Sequence, residues 1–200
     1  MKPHLAVAAL IVLAGCSSSP VPRNYVLSVP ADPIAEVRGE AGRPVVELPT
    51  VSLPDYLDTT DIWSRDGRNE LKASPTGQWG ERLSVGITHA LMASLARRLP
   101  GVLVVHTPLS GQPARRLLID VDAFDIQPGG RCVLTARWTV PGQHTGAVAL
   151  AERGTFVTAV AAESKGELSD AAIVSAMVAA VDQLADRIAI NLRPGAARPR

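Results

Sequence analysis

The chain has 200 residues, 46% of them hydrophobic, and a formal net charge of +1. That balance supplies the core of one domain of ordinary size and gives no electrostatic footprint for a nucleic-acid partner. Its cysteines, Cys16 and Cys132, exclude a disulfide scaffold.

The first segment reads as a leader. Lys2 and His4 precede an almost unbroken apolar run over residues 5–13. At about nine residues this run is far short of the about 20 needed to span a bilayer. A charged start, a short apolar stretch and small residues before a cut site describe a secretory signal. Leu13, Ala14, Gly15 and Cys16 form a lipobox. Gly15 admits a peptidase to the backbone, and the Cys16 thiol is the expected site of diacylglycerol attachment, with acylation of the freed amine. Two or more acyl chains anchor stably where one holds only marginally. Ser17 stands where an Asp retains lipoproteins in the inner membrane of enteric bacteria, so the expected location is the periplasmic face of the outer membrane. The expected organisation is a signal peptide at 1–15, a lipidated cysteine and Ser/Pro tether at 16–23, one domain at 24–192 and a flexible basic tail at 193–200. The tether's seven residues reach at most about 25 Å, which keeps the domain close to its membrane.

Residues 25–29 read as a first short strand and 30–42 as a polar loop. Residues 44–53 are β-rich through Val45, Val46, Leu48 and Val51 but carry Pro49, with Pro54 just beyond. Proline has no N–H to give to a ladder, so this strand is expected at an edge or broken. Residues 62–65 and 70–73 form a hairpin around Asp66 and Gly67, a favoured turn pair. A helix is predicted over 78–99. Leu83, Ile87, Leu91 and Leu95 recur every four residues beside Thr88 and Met92, and Arg82, His89, Ala93 and Arg97 take the solvated side. Pro100 and Gly101 stop it. A short strand follows at 102–106. Residues 115–125, 131–140 and 147–160 then read as an antiparallel meander, with Leu117, Ile119 and Val121 on one face and a kink at Gly154. Ser169 caps a last helix over 171–192, with Ile173, Met177, Val181, Leu184 and Ile188 on one side and Ser175, Ala179, Asp182 and Asp186 opposite. The sum is an α/β fold of about seven strands, a mixed and largely antiparallel sheet packed against two amphipathic helices.

Catalytic motifs are absent from this reading. There is no nucleophile elbow and no phosphate loop, and His4, His89, His106 and His144 share no metal-ligand spacing. No enzyme, metal site or cofactor is expected. Asp120, Asp122 and Asp125 hint at a cation site, yet a strand face paired with Arg137 explains them more simply. Cys132 is expected to pack as a small apolar residue. The richest surface candidate is the 53–63 segment, where Leu53, Tyr56, Leu57, Ile62 and Trp63 sit among prolines and carboxylates. Aromatic residues dominate interface energetics, which makes these five candidate partner-binding residues. The competing reading folds Tyr56 and Trp63 onto the core. Trp79 is expected to be a core lid.

Several segments together resemble the PqiC (YmbA-type) lipoproteins, the ABC-type transport auxiliary lipoprotein components. They are Tyr25-Val26-Leu27, then Leu53-Pro54-Asp55-Tyr56-Leu57-Asp58 with Ile62 and Arg65, then Glu70, Leu71, Trp79, Glu81 and Leu83. Val121, Phe124 and Asp125 follow, with Gly129, Gly130, Val133, Leu134, Ala136 and Trp138, and the last helix closes on Leu184, Ile188 and Ala189. One departure is visible: Thr59, Thr60 and Asp61 replace the family's frequent Arg-Pro-Gln. The resemblance implies a TolB N-terminal-like fold and a non-catalytic place in lipid traffic between two membranes. It also implies partners, namely a PqiB-like MCE-domain protein and inner-membrane transporter subunits, with phospholipid as candidate cargo and a homo-oligomer left open. The alternative is a structural lipoprotein serving envelope integrity without lipid cargo.

Overall fold

The computed structural model describes residues 21–27, 43–107, 114–141, 148–162 and 168–193. The signal segment, Cys16, His144 and the tail beyond Arg193 lie outside the described residues. Nine strands and two helices are found among the described residues: β1 Arg23–Tyr25, β2 Val45–Glu47, β3 Asp61–Asp66, β4 Glu70–Trp79, α1 Leu83–Arg98, β5 Leu103–Val105, β6 Ala114–Arg116, β7 Leu118–Gln127, β8 Arg131–Pro141, β9 Val148–Ala159 and α2 Asp170–Leu192. The expected class holds. A six-stranded sheet runs β1-β4-β3-β7-β8-β9, with β1 parallel to β4, β3 parallel to β7 and the other neighbours antiparallel. Beside it lies a small parallel sheet, β5-β2-β6, which lifts the strand count above the seven expected.

Of the two outcomes expected for residues 44–53, an edge strand or a broken one, the structure takes the second. The strand breaks after Glu47, close to Pro49, but it is the central strand and not an edge. Its neighbours come from chain segments far apart in sequence, so no local pattern announces it. Leu117 joins the two sheets, because β6 and β7 are one run that changes sheet there. The Leu117 amide donates to Glu47 O (2.8 Å), the Ser52 amide to Ile119 O (3.0 Å) and the Val121 amide to Ser52 O (2.8 Å).

The β3–β4 hairpin forms as expected, with Gly67 at φ 79° in its turn, a conformation only glycine adopts without strain. β4 then runs on to Trp79, so α1 begins at Leu83 and not at Gln78. Trp79, only 3% exposed, ends a strand as a core side chain. The α1 stripe is buried at Leu83, Ile87, Thr88, Leu91 and Leu95. Helix α2 matches its expected start to within a residue, and Ile173, Met177, Val181, Leu184 and Ile188 are all buried. Its cap is local: Ser169 Oγ accepts from the Ala172 amide at 3.3 Å.

Two strand details differ from expectation. The register shifts between Val121 and Ala123. That bulge changes the phase of β7, so Leu117, Ile119 and Val121 point inward before it and Phe124 and Ile126 after it. Phe124 is therefore core, while Leu118 remains 37% exposed. At Gly154, where a kink was expected, β8 and β9 pair without a break in register. The glycine's missing side chain makes room for rings: a Cβ there would lie 3.0 Å from Phe156 and 3.3 Å from Trp138. The rings of Trp138 and Phe156 pack with centroids 6.5 Å apart.

Helix α2 lies over β8 and β9, and α1 packs beside α2. The faces read as solvated meet each other in part. Arg97 and Arg98 of α1 bind Asp182 of α2 at 3.2 and 2.8 Å, and Arg98 also binds Asp186. The hydrogen bond from Arg98, outweighing the cost of burial, holds the Asp182 carboxyl below its ordinary pKa.

Candidate functional site

The 53–63 segment leaves the core at Leu53 and turns at Pro54, whose carbonyl accepts from the amides of Leu57 (2.9 Å) and Asp58 (3.2 Å). Leu57 and Ile62 are only 1% and 2% exposed, and Leu53 packs half-buried against the core. These three of the five expected contact residues therefore hold the loop down from inside. Tyr56, 38% exposed, and half-buried Trp63 keep surface open to solvent. The Trp63 indole N–H donates to Thr59 Oγ1 at 3.0 Å, and the Asp61 amide shares that acceptor at 3.1 Å. The departure at Thr59 thus has a structural use of its own.

The loop also completes α1. That helix starts after Arg82, which offers no side-chain cap, and its first turn holds no acidic residue. Asp58 supplies both from a distance. Its Oδ1 accepts from the Ser84 amide at 3.0 Å, and its Oδ2 accepts from Arg82 at 2.8 and 3.1 Å. The Leu83 amide donates to Thr59 O at 3.2 Å. Two amides that a helix start leaves without partners are thereby satisfied, and a carboxylate faces the positive end of the helix dipole. Burial pushes the Asp58 pKa up, but the Ser84 and Arg82 hydrogen bonds outweigh it and hold the group below its ordinary value. Sequence reading placed Asp58 in a docking motif. The signal that would have found its role is the missing cap at Arg82.

Behind the loop stands a buried ion pair. Asp125 is wholly buried and accepts from Arg65 Nε at 2.7 Å and from Gln127 Nε2 at 2.6 Å. The Asp125 hydrogen bond raises the Arg65 pKa against the opposing cost of burial, and the Tyr56 hydroxyl stands alongside the same guanidinium. The three aspartates of β7 gather no cation site. Asp122 pairs with Arg137 as expected and also with Arg153, each at 3.0 Å, while Asp120 sits across from Arg137 in the ladder. Among the described residues no cluster of His, Cys, Asp and Glu is arranged to hold a metal ion. His89 is exposed beside Glu81, and His106 Nδ1 lies 3.1 Å from Leu48 O. Cys132 is fully buried, as expected of a small apolar residue, and that burial pushes its thiol pKa up to about 12.

Comparison with known proteins agrees with this architecture. The chain is 28% identical over 150 residues to the intermembrane transport lipoprotein PqiC of Escherichia coli K12, covering 72% of this chain and 76% of that protein. The protein of the same name from Shigella flexneri gives the same figures. Among solved structures, an uncharacterized protein superposes with a TM-score of 0.66 at 19% identity, covering 76% of this chain and 93% of that one. A Xanthomonas campestris protein gives 0.60 at 16% identity, covering 84% and 90%. These two show the fold. Residues 25–189 match the family model described as ABC-type transport auxiliary lipoprotein component, from the last residue of β1 to the last turn of α2, and the chain belongs to that family.

Proposed function

We propose that this protein is a non-catalytic lipoprotein of the outer membrane, anchored through Cys16, that serves an intermembrane lipid transport system built on an ABC-type transporter and an MCE-domain protein. The observation that carries the reading is the family match over residues 25–189, together with the likeness to proteins named intermembrane transport lipoprotein PqiC. The lipobox around Cys16 and the short tether support an anchor close to the bilayer. Moving a phospholipid between membranes needs docking and a shielded path, not bond chemistry. The loop over α1 supports a docking role. Tyr56 and the open edge of Trp63 form the contact, and Leu53, Leu57 and Ile62 fix its shape from below.

The test is crosslinking in cells from a photoreactive amino acid at Tyr56, followed by identification of what is captured. Capture of an MCE-domain protein, abolished by Trp63→Asp, supports the reading. Failure to capture one from Tyr56 or Trp63 in cells that express it overturns the docking assignment. Recovery of a Cys16→Ser variant in the membrane fraction would overturn the anchor.

A further inference from the structure

Residues from β1, β3, β4 and the first turn of α2 line an open cleft of about 980 Å³. That lies at the upper end of the about 300–1,000 Å³ typical of small-molecule sites. Its open apolar surface comes from half-buried Tyr25 and from Leu168, 36% exposed, while Ile62 and Ile173, 2% and 6% exposed, close it from beneath. Its rim carries two exposed cations, Arg23 and Lys72, and neither has an ion pair among the described residues. The carboxylate on the rim, Asp170, is engaged by Thr76 Oγ1 at 2.7 Å. Val21, 90% exposed, stands at the mouth.

The position of Val21 decides what the cleft faces. Val21 stands five positions along the chain from Cys16, so the mouth lies at most about 18 Å from the Cα of the anchoring cysteine. We propose that this cleft takes one phospholipid from the adjoining bilayer. The headgroup phosphate sits between Arg23 and Lys72, and the start of the acyl chains lies along Tyr25 and Leu168. An apolar surface under a cationic rim matches an amphiphile with a negative head, since a charged oxygen gains most from charge-assisted partners and an alkyl chain from a dry surface. The proposal rests on the lipid-transport reading and gives it a place of contact.

The experiment uses the full acylated protein in vesicles of phosphatidylethanolamine and phosphatidylglycerol, the latter carrying a photoreactive group near the top of one acyl chain. Adducts are mapped by peptide mass spectrometry. We expect them on segments 72–76 and 168–173, reduced at least fivefold by the double variant Arg23→Glu/Lys72→Glu and by Ala171→Trp at the exposed start of α2. Melting curves confirm that the variants are folded, and Lys72→Glu alone serves if the double variant is not. Adducts spread over the surface, or indifferent to charge reversal, overturn the proposal. So does displacement by inorganic phosphate, which would mark a phosphate site only. Crosslinking from Tyr56 in parallel separates the two readings. Lost cleft adducts with intact capture of the MCE-domain protein sink the cleft alone. Cleft adducts without capture sink the docking assignment alone.

Discussion

The two helices begin in opposite ways. Helix α2 is capped by the residue before it, Ser169, and carries Asp170 in its first turn. Helix α1 has neither device nearby and takes its cap from Asp58, which lies within the 53–63 loop. A local cap serves one helix. A remote cap fastens a helix to a loop, so the shape of the loop and the stability of the helix become one quantity. Behind the loop that carries Tyr56, the buried Arg65–Asp125 pair ties β3 to β7 as a brace.

This contrast can be tested by substitution, and the largest effect is expected at the brace. Arg65→Met leaves the buried Asp125 carboxylate without its cation. Removing one partner of such a pair typically costs about 3–5 kcal/mol. The Gln127 hydrogen bond remains, so we expect about 3 kcal/mol by denaturant unfolding. Asp58→Ala comes next. It removes a cap and the contacts to Arg82, and about 1.5–2 kcal/mol is expected, the upper part of the range for cap removal. Ser169→Ala removes only a long local bond and should cost about 0.5 kcal/mol. Equal losses at Asp58 and Ser169 would erase the distinction between remote and local caps.

The smallest effect concerns acid. The Asp58 and Asp182 carboxyls both titrate below their ordinary value of 3.8 when folded. Each therefore binds fewer protons folded than unfolded, and its contribution is full above that value and lost as pH falls below it. We expect melting temperature to be flat with respect to these groups near neutrality and to fall below about pH 4. Asp58→Asn should keep a cap, since Asn caps well, yet show a shallower acid decline than the parent. An unchanged decline would place the acid sensitivity elsewhere.

The same contrast marks what could be read from the sequence. Helix α2 was legible because its cap, its stripe and its stop at Pro194 are all local. The start of α1 was misplaced because the residues that begin it are not beside it. The meander was legible from alternation, but the bulge at Asp122 reverses the phase midway, and only the ladder partner reveals it. Of the candidate contact residues, Tyr56 and Trp63 keep exposed surface, while Leu57 and Ile62 face inward. Composition could not separate them, because the same apolar residues serve a loop that packs and a loop that docks. Arg23 and Lys72 gave no signal at all, since the cleft joins strands and a helix from distant parts of the chain.

The run from Ala114 through Leu117 into β7 carries one more consequence. Because a single length of backbone is laced to residues 47–52 on one sheet and continues as a middle strand of the other, the two leaves share a spine. They cannot gape like a clamshell without tearing that seam. Whatever this domain holds, it holds in a frame already set, and not in a jaw that closes.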